Sequence, residues 1–147
     1  MTIPEDTERY VAGGYLPASF LDWDGHVAAV VFTRGCNFRC PWCHNSGLVL
    51  GMGEALDLAR ITDDIRRRIK FLDGVVLTGG EPTIWSGLFD FLLKMKEFEI
   101  SVKLDTNGSM PGIIERVLEE GLADHVAMDV KSPIDRCSLK RVTGVDA

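Results

Sequence analysis

Three cysteines, Cys36, Cys40 and Cys43, lie within eight residues at the spacing C-x3-C-x2-C. They follow the apolar run 26–32, which predicts a buried strand ending where the cysteines begin. The loop that leaves this strand, residues 34–53 (the cysteine loop), can direct several thiolates at one centre, and clustered thiolates select zinc, copper(I) or iron–sulfur clusters. A [4Fe–4S] cluster usually takes four cysteines. Because only three are close together here, such a cluster would keep one coordination position open, as catalytic metal sites do.

Further along the chain, three more apolar runs each end in a short polar or glycine-rich motif. These motifs are Gly79-Gly80-Glu81-Pro82, Asp105-Thr106-Asn107-Gly108 and Asp129-Val130-Lys131. Helical periodicity between the runs predicts β-α-β units, and therefore a parallel sheet in an α/β fold. Catalytic residues of such folds lie at the carboxyl ends of the strands. We therefore expect the cysteine loop and the three motifs to lie at one edge of the sheet.

The periodicity also places the individual elements. The predicted strands cover about residues 26–33, 75–78, 100–104 and 125–130, and the predicted helices cover about 62–72, 87–98 and 111–120. Ser86 is expected to cap the second helix. Residues 1–15 are expected to form an irregular or strand-like arm and residues 16–25 a connecting segment. Residues 132–147 show no clear period.

The chain resembles the radical S-adenosylmethionine (radical SAM) enzymes, which share the C-x3-C-x2-C spacing and these motifs in this order. Residues 35–41 and 43–45 resemble the cysteine loop of activating enzymes for anaerobic ribonucleotide reductase and related glycyl radical enzymes. The resemblance runs from about residue 16 to residue 144 and implies a partial (β/α)6 barrel. Since only four β/α units are predicted, we expect a single radical SAM core domain over residues 1–147 that lacks the last two strands through C-terminal truncation.

The resemblance implies a radical oxidoreductase reaction. Cys36, Cys40 and Cys43 would hold three irons of a [4Fe–4S] cluster, and the amino and carboxylate groups of SAM would chelate the fourth. An electron from the reduced cluster would cleave SAM into methionine and a 5′-deoxyadenosyl radical. This radical would take a hydrogen atom from a backbone glycine of a partner enzyme, with anaerobic ribonucleotide reductase as the favoured partner. A flavodoxin or ferredoxin would supply the electron.

By the same resemblance, the motifs at the strand ends bind SAM. Its ammonium group is expected to donate hydrogen bonds either to the carbonyls of the glycine pair 79–80 or to the Glu81 carboxylate. Residues 105–107 would bind the ribose hydroxyls, or a cation beside the SAM carboxylate.

Lys131 shares a strand face with Asp129 and would pair with the SAM carboxylate, while Trp42 would shield the cluster and contact the adenine. The complete set of candidate cofactor-binding residues is Asn37, Trp42, Gly79, Gly80, Glu81, Pro82, Asp105, Thr106, Asn107, Asp129 and Lys131.

Simpler interpretations of these residues remain open. The three cysteines with His44 as a fourth ligand would make a zinc site. The glycine pair 79–80 is compatible with a plain tight turn, and Asn107-Gly108 with a helix-capping turn. Asp129 and Lys131 could form an ion pair at a strand end. Cys137 is expected to be a thiol outside the metal site.

Charge and hydropathy argue against other classes of partner. The net charge of −6 and the pI near 5.0 argue against a nucleic-acid-binding surface, which needs a basic patch. The basic run 66–68 lies in a predicted helix and is expected to be a solvated face. The first residues are polar and acidic, unlike a secretory signal. No apolar run approaches the roughly 18 residues of a membrane span, so we expect a cytoplasmic protein without a membrane partner.

Two other functions are compatible with this sequence. A radical SAM enzyme acting on a small molecule, such as a deazapurine synthase, would use the same cofactors with another substrate pocket. A truncated, non-catalytic iron–sulfur protein is the second, because a parallel sheet that stops at its fourth strand leaves an open apolar edge.

Overall fold

The computed structural model describes residues 10–145. Its strands are β1 (Val11–Ala12), β2 (Gly14–Ser19), β3 (Ala28–Thr33), β4 (Leu56–Asp57), β5 (Gly74–Gly79), β6 (Ser101–Thr106) and β7 (His125–Met128). Its helices are α1 (Ser46–Val49), α2 (Leu58–Arg68), α3 (Leu88–Glu97), α4 (Pro111–Glu119) and α5 (Arg136–Thr143), with a 3₁₀ turn at Pro82–Ile84. The strands β1 and β4 form a small antiparallel pair, and the other five form one sheet in the order β2-β3-β5-β6-β7.

Within the main sheet, β3, β5, β6 and β7 pair in parallel and follow one another in chain order. The connections between them contain α2, α3 and α4 in turn, so each is a β-α-β unit. The carboxyl ends of all four strands therefore lie at one edge of the sheet. The predicted α/β fold with four β/α units is confirmed.

The two faces of the sheet differ because side chains alternate along each strand. The face that packs into the large core with the helices carries Ala29, Val31, Val75, Leu77, Val102 and Leu104. The opposite face carries a small cluster formed by Ala28, Val30 and Val76, against which Trp23 and Phe32 pack. Trp23 lies at the start of β5, since a Cβ on Gly74 would lie 2.5 Å from its ring. This second face leads toward the cysteine loop at the other end of the strands.

An antiparallel edge strand lies where the sequence predicts a connecting segment. Residues Gly14–Ser19 pair with β3, with a register irregularity between Leu16 and Ser19. Pro17 lies in that irregular stretch, and proline is tolerated at sheet edges and bulges because it has no N–H to donate. The prediction of a connecting segment over residues 16–25 is therefore wrong for its first part. The proline weakens the strand pattern of this stretch of sequence. Residues 1–9 of the predicted arm lie outside the described residues.

The first long helix, α2, begins at Leu58 rather than near residue 62 and ends at Arg68. Asp57 sets this start, because its side chain accepts a hydrogen bond from the Ala59 N–H at 2.9 Å. The predicted helical face is correct, and Ile61 and Ile65 are buried on it.

The predicted cap of the second helix is wrong. The residue that precedes α3 is Gly87, and no side chain makes a capping hydrogen bond there. Ser86 lies one position too early for this role.

The tail contains a helix that the sequence does not predict by period. Asp135 caps α5 by accepting a hydrogen bond from the Ser138 N–H at 2.8 Å, and Gly144 ends it with a φ of 75°. The Arg39 N–H donates to the Thr143 carbonyl at 2.6 Å. The end of α5 is thereby attached to the cysteine loop.

Strand β7 pairs only with β6 among residues 10–145, so its other edge is open. Met128 and Val130 beside this edge are each 60% exposed, in agreement with the expected open apolar edge. None of the helices in the described residues has the length and apolar composition needed to cross a bilayer.

Candidate active site at the cysteine loop

A cavity of about 250 Å³ lies at the carboxyl ends of the parallel strands and is walled on one side by the cysteine loop. All the site residues predicted from the sequence line this central cavity except Asn37 and Pro82. The cavity is also lined by His44, the fourth ligand of the alternative zinc site, and by four residues not predicted as ligands, namely Phe38, Asn45, Val49 and Thr78. Thr78 continues the face of β5 that carries Val76, so the period of two along that strand was a usable signal. The loop residues carried no comparable signal.

Hydrogen bonds to two of its own backbone carbonyls close the cysteine loop at its base. Gly35, which has a φ of 80°, donates its N–H to the Leu48 carbonyl at 2.9 Å. The Arg34 guanidinium donates to the Gly51 carbonyl. These bonds bring the two ends of the loop together, and they hold the three partly buried cysteines over the cavity.

Two of the thiols, Cys36 and Cys40, lie in an environment that favours their protonated form when no cation is present. Burial raises the pKa of Cys36; the Phe38 N–H lowers it in part, whereas Glu81 and the other two thiols raise it further. Burial also raises the pKa of Cys40, against the lowering effect of Lys131. A bound metal reverses this balance, because its positive charge deprotonates coordinating thiols outright.

The donor set is compatible with an iron–sulfur cluster. Among the described residues, no three His, Cys, Asp or Glu side chains converge on one metal-ion position. The ligands of a cluster bind different irons and do not need to meet at one point. Cys36, Cys40 and Cys43 line the central cavity, whereas Cys137 is exposed and lies outside it; soft thiolates of this kind suit an iron–sulfur cluster.

The glycine pair 79–80 is required by contact with this chain's own backbone. A Cβ on Gly79 would lie 2.3 Å from the Thr33 nitrogen, and one on Gly80 would lie 1.8 Å from the Gly35 carbonyl oxygen. Two hydrogen bonds join the segments, from Gly80 N–H to the Thr33 carbonyl at 3.0 Å and from Glu81 N–H to the Gly35 carbonyl at 2.8 Å. The motif therefore attaches the end of β5 to the start of the cysteine loop.

Glu81 is buried, with 1% of its surface exposed, and its carboxylate is occupied by donors of this chain. Oε1 accepts from the N–H and hydroxyl of Thr83 and from the Thr106 hydroxyl, the last at 2.6 Å. Oε2 accepts from the Asn107 N–H at 2.7 Å. One of the two acceptors predicted for an ammonium group, the Glu81 carboxylate, is thus already hydrogen-bonded within the chain. Pro82 is buried at the start of the 3₁₀ turn and does not reach the cavity.

Asn37 lies behind the cavity wall, and its side chain joins the cysteine loop to the end of β6. Its Oδ1 accepts from Asn107 Nδ2 at 3.0 Å, and its Nδ2 donates to the Ser109 hydroxyl at 2.8 Å. The sequence predicted Asn37 as a cofactor-binding residue. In the structure its side chain links the cysteine loop to the segment that follows β6.

Charged side chains line the far wall. Asp105 projects into the cavity from β6 and lies 3.0 Å from the Lys103 ammonium, which also donates to the Asp22 carbonyl at 2.6 Å. Lys131 donates to Asp129. Burial alone would lower the pKa of Lys131, but Asp129 and the two thiols at positions 40 and 43 raise it above its usual value. The ammonium group is therefore charged beside the cysteines.

Trp42 lies at the rim of the cavity with 55% of its surface exposed. Its ring is therefore free to cover whatever the cavity holds. His44 also lines the cavity, beside Cys43.

Comparison with known proteins bears on the whole of this arrangement. The Radical SAM superfamily model matches residues 30–146. A Methanocaldococcus jannaschii protein, provisionally named a glycyl-radical enzyme activating enzyme, is 35% identical over 129 residues, covering 87% of this chain and 53% of its own. The pyruvate formate-lyase-activating enzyme of Clostridium pasteurianum is 32% identical, covering 80% of this chain and 51% of its own.

Other relatives carry different names. A Pyrococcus horikoshii protein, provisionally named a GTP 3′,8-cyclase, is 28% identical and covers 78% of this chain and 37% of its own. The chain thus spans about half the length of the two activating enzymes and less of the cyclase.

The fold has a counterpart among solved structures. Streptococcus suis SuiB, bound to the precursor peptide SuiA, superposes with a TM-score of 0.60 at 16% identity, covering 80% of this chain and 26% of SuiB. This likeness concerns the fold alone. Membership follows from the family model, whose match over residues 30–146 shows that the chain belongs to the radical SAM superfamily, whose members use a [4Fe–4S] cluster and SAM.

Proposed function

We propose that this chain is the catalytic core of a glycyl radical enzyme activating enzyme, with anaerobic ribonucleotide reductase as the favoured target. One observation carries the proposal: the three cysteines and the motifs at the ends of β5, β6 and β7 open into the same cavity. The identities of 35% and 32% to proteins named as activating enzymes support the reaction class.

In this proposal, Cys36, Cys40 and Cys43 hold a [4Fe–4S] cluster with one iron left for SAM. When bound, the cluster would supply the electron that cleaves SAM reductively, and the resulting 5′-deoxyadenosyl radical would remove a hydrogen atom from a glycine of the partner. The closed base of the cysteine loop keeps the thiolates facing the cavity, and Trp42 at the rim limits the access of water.

The other residues would bind and orient SAM. The carbonyls of Gly79 and Gly80 would accept hydrogen bonds from its ammonium group, and the charged Lys131 would pair with its carboxylate. Asp105 projects into the cavity from β6, which lies between β5 and β7. Its carboxylate would accept a hydrogen bond from a ribose hydroxyl. Glu81 and Asn37, whose side chains are occupied within the chain, would act by holding these segments together.

The partners follow from the reaction. The reaction would take up one electron, which an external donor has to supply. A flavodoxin or ferredoxin would supply it, in a cytoplasmic setting.

The test is anaerobic reconstitution with iron and sulfide, followed by reduction and addition of SAM. We expect the EPR signal of the reduced cluster to change with SAM and 5′-deoxyadenosine to form. Cys40→Ser should abolish both, whereas Cys137→Ser, which changes the cysteine outside the cavity, should leave both unchanged. The proposal would be contradicted if the protein bound zinc without forming a cluster. It would also be contradicted if a cluster formed but SAM neither changed its EPR signal nor was cleaved.

A second candidate is a radical SAM enzyme that acts on a small molecule, as the 28% identity to a protein named as a GTP 3′,8-cyclase suggests. The two are separated by their product. Incubation of the loaded protein and SAM with anaerobic ribonucleotide reductase should give the EPR doublet of a glycyl radical. Incubation with GTP should give no modified nucleotide, and the opposite pair of results would favour the second candidate.

A further inference from the structure

The sulfur of Cys36 accepts hydrogen bonds from two N–H groups of the chain. The Phe38 backbone N–H donates to it at 3.3 Å, as expected within a tight loop. The second donor is the side-chain amide of Asn107 at 3.9 Å, which comes from the end of β6 on the other side of the cavity. A donor from so far along the chain has to be held in place by the fold.

The orientation of the Asn107 amide follows from its partners. Its Oδ1 accepts from the Ser109 backbone N–H at 2.9 Å. Because a backbone N–H can only donate, the side-chain oxygen has to face Ser109, and Nδ2 has to face the cysteine loop. There it donates to Asn37 Oδ1 at 3.0 Å and to the Cys36 sulfur.

The backbone of Asn107 is fixed as well. Its N–H donates to the buried Glu81 carboxylate at 2.7 Å, and the same carboxylate holds the Thr106 hydroxyl at 2.6 Å. A continuous chain of hydrogen bonds therefore runs from a buried charge through Asn107 to the first cysteine. Such supporting contacts orient the ligands of a metal centre and tune its properties.

We propose that Asn107 is a positioning residue whose amide N–H donates to the Cys36 thiolate and raises the reduction potential of the cluster bound there. The inference rests on the proposed ligation of the cluster by Cys36. The step concerned is entry of one electron from an external donor, with no bond made or broken. The N–H group stabilises the sulfur more strongly in the reduced cluster, which carries more negative charge, so reduction becomes easier.

The test is an EPR-monitored redox titration of the reconstituted full chain without SAM, using dithionite as reductant. Asn107→Leu removes the donor while keeping the branched shape and the number of side-chain heavy atoms, and Asn107→Ser keeps a small polar residue that does not reach the sulfur. In both variants we expect the ratio of reduced to oxidised cluster at a fixed poise to fall about tenfold, equivalent to about 59 mV for one electron. Thr62→Ala is the control and should leave the potential unchanged, because it removes a hydroxyl on α2 that bonds the Ala59 carbonyl and lies outside the central cavity.

The outcomes separate this inference from the proposed function. If the unaltered chain takes up no cluster, both fail. If every variant forms a cluster with the same potential, the inference alone is overturned. If both Asn107 variants are folded by circular dichroism but bind no cluster, Asn107 has a purely structural role and the inference is again overturned.

Discussion

The Oε1 atom of Glu81 lies 2.6 Å from the Thr106 hydroxyl, and this contact joins the carboxyl ends of β5 and β6. A charge buried to this extent is stable only when its oxygens are hydrogen-bonded, and here the backbone and hydroxyl groups of Thr83, Thr106 and Asn107 supply the donors. The geometry of the strand-end motifs thus depends on a side chain that the sequence suggested as a cofactor ligand.

Replacement of Glu81 by glutamine should destabilise the fold. The new NH₂ group would face a donor instead of accepting from it, so at least one buried hydrogen bond to a charged group is lost, at a cost of about 2 kcal/mol. Urea denaturation of the cluster-free protein measures this difference. Glu97→Gln, which changes an exposed carboxylate paired with Lys94, should cost no more than about 0.5 kcal/mol. Equal effects of the two variants would contradict the role assigned to Glu81.

Gly80→Ala should displace the cysteine loop, because the added Cβ would lie 1.8 Å from the Gly35 carbonyl oxygen. Overpacking of this kind costs about 1–3 kcal/mol, and we also expect less iron bound per chain after reconstitution. The matched control is Gly112→Ala in α4, where a Cβ meets nothing within 4 Å. That change should stabilise the protein by about 0.5–1 kcal/mol. Full iron content and stability in the Gly80 variant would show that the loop accommodates the methyl group.

Lys131→Met should weaken SAM binding while leaving the cluster in place. Loss of a charge-assisted hydrogen bond to the SAM carboxylate costs about 1.5–3 kcal/mol, equivalent to a rise in Kd of about 10- to 100-fold. Isothermal titration of the reconstituted protein with SAM gives the Kd. Lys94→Met, on the exposed face of α3, should bind SAM like the unaltered chain. An unchanged Kd for the Lys131 variant would place the SAM carboxylate elsewhere.

Acid should weaken the contact between β2 and α2. The Tyr15 hydroxyl donates to Asp64 at 2.9 Å. Partial burial alone would raise the pKa of Asp64, but hydrogen bonds from Arg68, Tyr15 and Arg67 hold it below its usual range. The carboxylate therefore contributes stability above its pKa in the unfolded chain, about 4, and loses it as the pH falls through the lower folded value.

The measurement for this prediction is urea denaturation of the cluster-free protein at neutral and acid pH. At neutral pH, Asp64→Asn should be less stable than the unaltered chain by about 1 kcal/mol. That difference should shrink below pH 4. A difference that does not change with pH would show that the carboxylate charge contributes nothing.

Much of the fold could be predicted because its signals are local. The buried strands β3, β5 and β6 are short apolar runs, and each is followed by a polar or glycine-rich motif, so the edge that carries the site follows from the direction of parallel strands. The elements that were missed or displaced have weak local signals. Pro17 obscures β2, while the start of α2 depends on one capping contact by Asp57.

Most of the site residues predicted from the sequence line the cavity, but two of them do not. The cysteines, Asp105 and Lys131 line the cavity as their strand-end positions indicated. Asn37 and Pro82 do not, since one supports the loop from behind and the other lies buried in a turn. The glycine pair 79–80 was expected to offer its carbonyls to an ammonium group; it lines the cavity, and the structure shows in addition that it packs against backbone atoms of Thr33 and Gly35.

The sequence by itself determined the spacing of the three cysteines and the sheet edge where they and the strand-end motifs meet, because these depend on neighbouring residues and strand direction. Only the tertiary structure decided which side chains face the cavity and which are used to build it. Glu81 and Asn107 are 26 residues apart in the chain, yet they are joined at 2.7 Å. Such a contact depends on how β5 and β6 pack side by side, and no local pattern records it.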